Sequence, residues 1–134
     1  MSKRHILIAD DEEGIRESLN LILGDHYVLT FAVDGQDALR KLTNGGVDLA
    51  LLDIKMPKLD GLEVMKRLKA AQIDLPVIVL TAYQSVELAK EAIKLGALDY
   101  LPKPFERDQI LQSIRTAFRD AGKAASQPQV RSNP

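Results

Sequence analysis

Five side chains that could bind a metal or catalyse a reaction stand at the ends of predicted strands. In chain order they are Asp10 and Asp11, then Asp53, Thr81 and Lys103. In an open parallel α/β sheet, ligands bind beyond the carboxyl ends of the strands. If the strands that carry them are neighbours, three carboxylates, a hydroxyl and an ammonium group meet at one edge of the sheet.

The combination of acids, a hydroxyl and a cation indicates metal-dependent phosphoryl transfer. Carboxylates that are forced together raise one another's pKa values, and a hard divalent cation removes that repulsion. Mg²⁺ prefers oxygen ligands, including carboxylates and phosphate oxygens. Lys103 and Thr81 suit contacts to phosphoryl oxygens, as a point charge and a hydroxyl donor. A carboxylate such as Asp53 can itself be the nucleophile and form an aspartyl phosphate.

The elements that position these residues alternate along the chain. Apolar runs typical of strands alternate with segments whose apolar residues recur at helical spacing. The runs are HILIA, YVLTFA, DLALLD, PVIVLT and LDYL. Nearly continuous apolar strands between amphipathic helices predict an α/β fold, with a parallel sheet covered on both faces. We assign residues 4–120 to one (βα)5 domain and 121–134, small, polar and proline-containing, to a flexible tail or truncated linker.

Composition excludes several classes of protein. The 134 residues carry a net charge of −1, which gives no electrostatic case for direct contact with nucleic acid or a membrane. Cysteine is absent, so the chain has no disulfide and no thiolate metal site. No apolar run approaches the roughly 20 residues of a membrane span, and the N-terminus does not resemble a signal peptide. We expect a cytoplasmic protein.

Four motifs, in order and at the expected spacing, resemble the receiver domain of two-component response regulators. They are the pair Asp10-Asp11, LLDIKMPKLDG (Leu51–Gly61), Thr81-Ala82 and DYLPKPF (Asp99–Phe105). The resemblance covers residues 4–120 and implies a flavodoxin-like, doubly wound five-stranded sheet with strand order 2-1-3-4-5. It implies a signalling switch that catalyses its own phosphorylation and dephosphorylation. The stretch from Thr81 to Phe105 is similar to receivers of the nitrogen-regulation activator type.

The resemblance also implies a role for each residue of the site. Asp53 is the phosphoacceptor, and a sensor histidine kinase supplies the phosphoryl group from a phosphohistidine. Asp11 binds Mg²⁺ (or Mn²⁺) directly, Asp10 acts mainly through metal-bound water, and the backbone carbonyl of Lys55 completes the metal site. Lys103 pairs with Asp53 and then with the phosphoryl oxygens, and a cis peptide before Pro104 aims it inward.

Thr81 and Tyr100 are the expected switch pair. Phosphorylation draws Thr81 toward the phosphoryl group, the Tyr100 ring rotates inward, and the surface of the fourth helix, fifth strand and fifth helix changes shape. That surface is expected to control an output domain, such as a transcription regulator, or a downstream protein, or to support a phosphorylation-dependent homodimer. An apolar set on the fourth helix is expected to be exposed and could serve a partner: Leu88, Ala92 and Leu95. Lys55 and Tyr83 are expected to set the lifetime of the phosphoryl group.

Three alternatives remain open at this stage. The chain could be a stand-alone phosphorelay protein, or a pseudo-receiver that binds partners without being phosphorylated. It could also be a phosphatase or phosphotransferase with an aspartate nucleophile. The haloacid-dehalogenase-like phosphatases place a second aspartate two residues after the nucleophile, where this chain has Lys55, which argues against that class.

Overall fold

One parallel sheet of five strands, in the order β2-β1-β3-β4-β5, organises the chain. We describe a computed structural model that covers residues 3–126, with side chains for residues 3–120. The strands are β1 (His5–Ala9), β2 (Val28–Ala32), β3 (Leu49–Leu52), β4 (Val77–Thr81) and β5 (Ala97–Pro102). The doubly wound α/β class and the predicted strand order are confirmed.

Each strand is followed by a helix: α1 (Glu13–Leu23), α2 (Gly35–Thr43), α3 (Gly61–Ala70), α4 (Val86–Lys94) and α5 (Arg107–Ser126). Side chains of Asp34, Asp60 and Ser85 accept backbone N–H groups at the starts of α2, α3 and α4. These caps satisfy donors that a helix cannot pair internally. They fix where three helices begin, directly after the loops at the carboxyl edge of the sheet.

Two apolar layers bury the faces of the sheet because alternate residues of a strand point to opposite sides. Leu7, Leu52 and Val79 lie in the layer under α2, α3 and α4. Ile8, Leu51 and Leu80, one position away in each strand, lie in the layer with α1 and α5. The polar residues that follow the strands are therefore left at the carboxyl edge.

The orientation of α4 corrects one sequence expectation. Ala92 is fully buried, and Leu88 and Leu95 pack against the apolar layer, so this set does not form the predicted exposed patch. The exposed apolar side chains of the helix are Val86 and Ile93. Val86 and Ile93 point away from the side of the helix that Ala92 buries, so they face solvent.

Helix α5 extends into the segment 121–134 that the sequence predicts as a tail or linker. Alanine is the strongest helix former, and three alanines within residues 121–126 favour this extension. Residues 127–134 lie outside the described part of the chain, and the domain boundary at 120 stays a prediction. Within the described residues, no helix combines the length and apolar character needed to cross a membrane.

Candidate functional site

Strand register brings Asp10 and Asp53 together. Ala9 of β1 pairs with Leu52 of β3, so the residue that follows each strand lies at the same height on adjacent strands. The backbone N–H of Asp53 donates to the carbonyl of Ala9 at 3.0 Å. One carboxylate oxygen from each of Asp10, Asp11 and Asp53 lies within 4.8 Å of the other two. The predicted acidic cluster is therefore present at the carboxyl edge of the sheet.

Lys103 reaches into this cluster from the loop after β5. Its ammonium lies 2.6 Å from Asp10 Oδ2 and 2.8 Å from Asp53 Oδ2. The Lys103 side chain is only 8% exposed. Its backbone N–H donates to the carbonyl of Thr81 at 3.1 Å, and the peptide bond to Pro104 is cis, as the resemblance implies.

Burial and pairing set the charges in the cluster. Burial raises the pKa of Asp10 above its ordinary value, although the hydrogen bond from Lys103 opposes this. Burial lowers the pKa of Lys103, but hydrogen bonds to Asp10 and Asp53 outweigh it and raise that pKa overall. The ammonium therefore stays charged. Three carboxyl groups cluster here beside one ammonium, and a divalent cation, which takes oxygen ligands, would offset this surplus of acids.

Both oxygens of the buried Asp53 carboxylate have hydrogen-bond partners. Its Oδ1 accepts the N–H of Ile54 at 2.7 Å, while Oδ2 faces Lys103. The loop that follows folds back closely, since a Cβ on Gly61 would lie 2.2 Å from the Asp53 carbonyl oxygen. Only glycine permits this approach, so Gly61 allows the chain to turn tightly into α3.

Thr81 and Tyr100 are joined through the backbone of Tyr83. The fully buried Thr81 accepts the N–H of Tyr83 on its Oγ at 3.2 Å. The hydroxyl of the half-buried Tyr100 donates to the carbonyl of Tyr83. Burial, followed by the nearby charge of Asp53, raises the pKa of Tyr100, so the phenol remains a donor at neutral pH. The sequence did not indicate that the backbone of Tyr83 would link Thr81 to Tyr100.

The two residues expected to affect phosphoryl lifetime touch one another. The Lys55 ammonium lies 5.3 Å from the centre of the Tyr83 ring. This cation–π contact links the loop after β3 to the loop after β4. The sequence did not predict this contact between the two side chains.

Two further side chains of the site come from the start of α1. Arg16 donates from Nη1 to the Asp10 carbonyl at 2.8 Å, which fixes the backbone between the paired acids. Glu12 Oε1 lies 3.4 Å from the Lys103 ammonium, although the Glu12 side chain is 64% exposed. The sequence does not single out Arg16, because basic residues are common on the solvent side of any amphipathic helix.

Comparisons with known proteins point to one family. Residues 6–115 match the family described as "Response regulator receiver domain". The chain is 41% identical over 125 residues to the transcriptional regulatory protein FixJ of Bradyrhizobium diazoefficiens, which covers 92% of the chain and 61% of that protein. It is 43% identical over 115 residues to the response regulator MprA of Mycobacterium sp. strain KMS, with 85% and 50% covered.

Solved structures agree with these relatives. A CheY-like response regulator receiver domain protein from Methanospirillum hungatei has a TM-score of 0.86 at 30% identity, over 91% of this chain and 98% of that one. Full-length FixJ from B. japonicum has a TM-score of 0.85 at 40% identity, over 95% and 63% of the chains. The chain thus spans only about half to three fifths of its curated relatives.

Proposed function

The chain belongs to the response regulator receiver domain family of two-component systems, and from this premise we propose that Asp53 is its phosphoacceptor. The observation that carries the proposal is the Asp53 carboxylate, buried, 2.8 Å from Lys103 and clustered with two further acids. Caps and turns do not need three acids and a buried ammonium at one edge of a sheet. A site that binds a divalent cation and a phosphoryl group does need both the acids and the ammonium.

The proposed reaction is phosphoryl transfer from a phosphohistidine of a sensor histidine kinase. An Asp53 carboxylate oxygen attacks phosphorus, an O–P bond forms, and the N–P bond breaks with its electron pair returning to the imidazole. Lys103 stays protonated throughout and neutralises charge on the transferred oxygens. Since positioning and charge neutralisation provide most of the rate in this chemistry, Asp53 itself needs no general base.

The residues present fit a Mg²⁺ or Mn²⁺ ion. Asp11 and Asp53 would hold it directly, Asp10 through water, and Lys55 through its backbone carbonyl. Asp11 is exposed whereas Asp10 and Asp53 are buried, so one side of the cluster is open to solvent. When bound, the ion supplies charge neutralisation and orients the incoming phosphoryl group.

Signalling is proposed to run through Thr81 and Tyr100 to the face formed by α4, β5 and α5. To shift the ratio of active to inactive conformations from about 1:99 to 99:1, the phosphoryl group must interact with the active conformation more favourably by about 5.5 kcal/mol. One charge-assisted hydrogen bond from Thr81 supplies about 1.5–3 kcal/mol, so Lys103, the metal and loop movement must contribute as well. Because Tyr83 binds both switch residues, it would move with them.

The proposed partners are the sensor kinase and an output domain or downstream protein on the α4-β5-α5 face. A phosphorylation-dependent homodimer through this face is also part of the proposal. The curated relatives are longer and named as transcriptional regulators or response regulators, which supports an output in transcription regulation without direct contact of this domain with nucleic acid. We retain the cytoplasmic location and the nitrogen-regulation subtype as predictions.

Lys55 and Tyr83 are proposed to control how long the phosphoryl group persists. The Lys55 ammonium lies over the Tyr83 ring and so joins the loop that follows Asp53 to the loop that follows Thr81. Together they would limit the approach of the water that hydrolyses the aspartyl phosphate, in a contact that neither residue forms alone.

The test is phosphorylation by a small donor. Incubation with Mg²⁺ and acetyl phosphate, followed by intact mass measurement, should give one phosphoryl adduct. The adduct should be absent in Asp53→Asn and retained in Asp25→Asn, a matched change at an exposed aspartate. Failure of the wild type to form an adduct with any small donor would favour a pseudo-receiver. The membership of the family and the retained acids and lysine already disfavour that alternative and the aspartate phosphatase.

A further inference from the structure

The loop between β3 and α3 contains a strained turn. Lys58 has φ +71°, and the Leu59 N–H donates to the Pro57 carbonyl at 2.7 Å, closing a three-residue γ-turn. Turns of this kind with a positive central φ are rare for a residue other than glycine. The Lys58 side chain is exposed, so its own burial does not hold the turn in place. A neighbouring element must hold it.

The start of α2 is in direct contact with this turn. A Cβ on Gly35 would lie 1.7 Å from the Leu59 carbonyl oxygen, far inside any permitted contact. The Gly35 N–H also donates to the Pro57 carbonyl at 3.3 Å. The first residue of α2 therefore lies against the turn with no side chain between them, and no other residue type fits there.

Asp34 supports the same contact. Its Oδ1 caps α2 by accepting the Asp37 N–H at 2.7 Å, and its Oδ2 lies 3.7 Å from the Lys58 ammonium. The ion pair is weak by itself because the lysine is largely exposed. The cap matters more, since it fixes the position of Gly35 relative to the loop.

At its other end the loop contacts the phosphoacceptor. Leu59 is two residues before Gly61, whose backbone packs against the Asp53 carbonyl so closely that a Cβ would lie 2.2 Å from its oxygen. Gly61 N–H also donates to the Ile54 carbonyl at 2.8 Å. A displacement of Leu59 would therefore move Gly61, and with it the backbone of Asp53 and Lys55.

We propose that Gly35 is a positioning residue for the phosphorylation site, supported by Asp34. Its contact with Leu59 holds the β3–α3 loop where Asp53 and the Lys55 carbonyl can bind the cation together. This inference rests on the proposed function, because it concerns the same metal site. It adds a residue of α2, which contributes no side chain to the acidic cluster.

The main experiment compares two glycine variants. Gly35→Ala introduces the clash with Leu59, whereas Gly14→Ala, also in a first helical turn, meets no atom within 4 Å. Mg²⁺ affinity of the unphosphorylated chain is measured by calorimetry, with circular dichroism as the check on folding. We expect Gly35→Ala to weaken Mg²⁺ binding about fivefold or more and to raise the Mg²⁺ concentration for half-maximal phosphorylation. Gly14→Ala should match the wild type.

A measurement on the wild type keeps the inference testable if Gly35→Ala does not fold. Coupling between two sites is reciprocal, so Mg²⁺ should slow hydrogen exchange at the Gly35 amide. The Tyr27 amide, hydrogen-bonded to the Leu23 carbonyl away from the loop, should slow only by the factor that stabilisation of the whole domain gives. Wild-type Mg²⁺ affinity in folded Gly35→Ala, or Mg²⁺-dependent slowing at Gly35 no larger than at Tyr27, would overturn the inference alone. A wild type that binds no Mg²⁺ would overturn the proposed function as well.

Discussion

Lys103 is the residue on which the charge balance of the site depends. It contacts two buried carboxylates within 2.8 Å, while a third carboxylate completes the cluster from the exposed side. Removing one partner of a buried ion pair leaves an uncompensated charge, which is costly. Lys103 therefore balances buried negative charge in the structure, and under the proposed function it would turn to phosphoryl oxygens after phosphorylation. This dual use requires a flexible point charge, for which lysine is better suited than the planar arginine side chain.

Thr81 should separate phosphorylation from its consequence. Because its Oγ accepts from the Tyr83 N–H and forms no hydrogen bond with the acids among the described side chains, Thr81→Ala should still accept phosphoryl at Asp53. It should lose about 1.5–3 kcal/mol of switching free energy, the value of one charge-assisted hydrogen bond. Chemical shifts of α4 and β5 amides, before and after phosphorylation, measure this. Thr81→Ser, which keeps the hydroxyl, is the matched control, and a full shift in phosphorylated Thr81→Ala would contradict the assignment.

At the scale of elements, the periodicity of apolar residues predicted the strands and helices. It did not predict contacts between loops that are distant in the sequence. Every strand and helix was expected near its observed place, because apolar runs and helical spacing are local properties of the chain. The acidic cluster followed from the rule that parallel strands end at one edge. The contacts of Lys55 with Tyr83 and of Gly35 with Leu59 did not, because neither local spacing nor composition shows which loops touch.

Helix α2 gives a prediction on pH. Partial burial alone raises the pKa of Asp37, but hydrogen bonds from Lys41 and Arg40 outweigh it and hold the pKa below its usual value. A lowered pKa in the folded state means that the stabilisation is present above the unfolded value of 3.8 and is lost as pH falls through the folded value. Asp37→Asn should lower the free energy of unfolding by about 0.5 kcal/mol at pH 7.

Urea unfolding at several pH values tests this expectation. The difference between Asp37→Asn and the wild type should shrink steadily as the pH falls below about 4. Asp25→Asn is the control, since Asp25 is exposed and forms no ion pair among the described side chains. A difference that stays constant down to the lowest pH would show that the charge of Asp37 is not its source.

In the whole molecule, the clustered acids lie at the carboxyl edge of the sheet. The apolar side chains pack in two layers, one on each face of the sheet. The sheet is buried on both faces, so apolar packing is the main source of its stability. Native proteins are stable by only about 5–15 kcal/mol, and clustered carboxylates reduce that margin. A cation that binds the folded chain and not the unfolded one should therefore be visible in the stability of the entire domain.

Mg²⁺ should stabilise the folded chain by an amount set by mass action. At a Mg²⁺ concentration of 100 times the dissociation constant, the free energy of unfolding rises by about 2.7 kcal/mol. Each kcal/mol raises Tm by roughly 4 °C. Asp11→Asn should lose this increment, because Asp11 supplies the exposed carboxylate of the cluster. Glu13→Gln, two residues on and in the first turn of α1, should keep it, because Glu13 is outside the cluster and its charge favours the helix dipole instead. Thermal unfolding with and without Mg²⁺ measures both variants, and equal stabilisation of wild type and Asp11→Asn would remove Asp11 from the metal site.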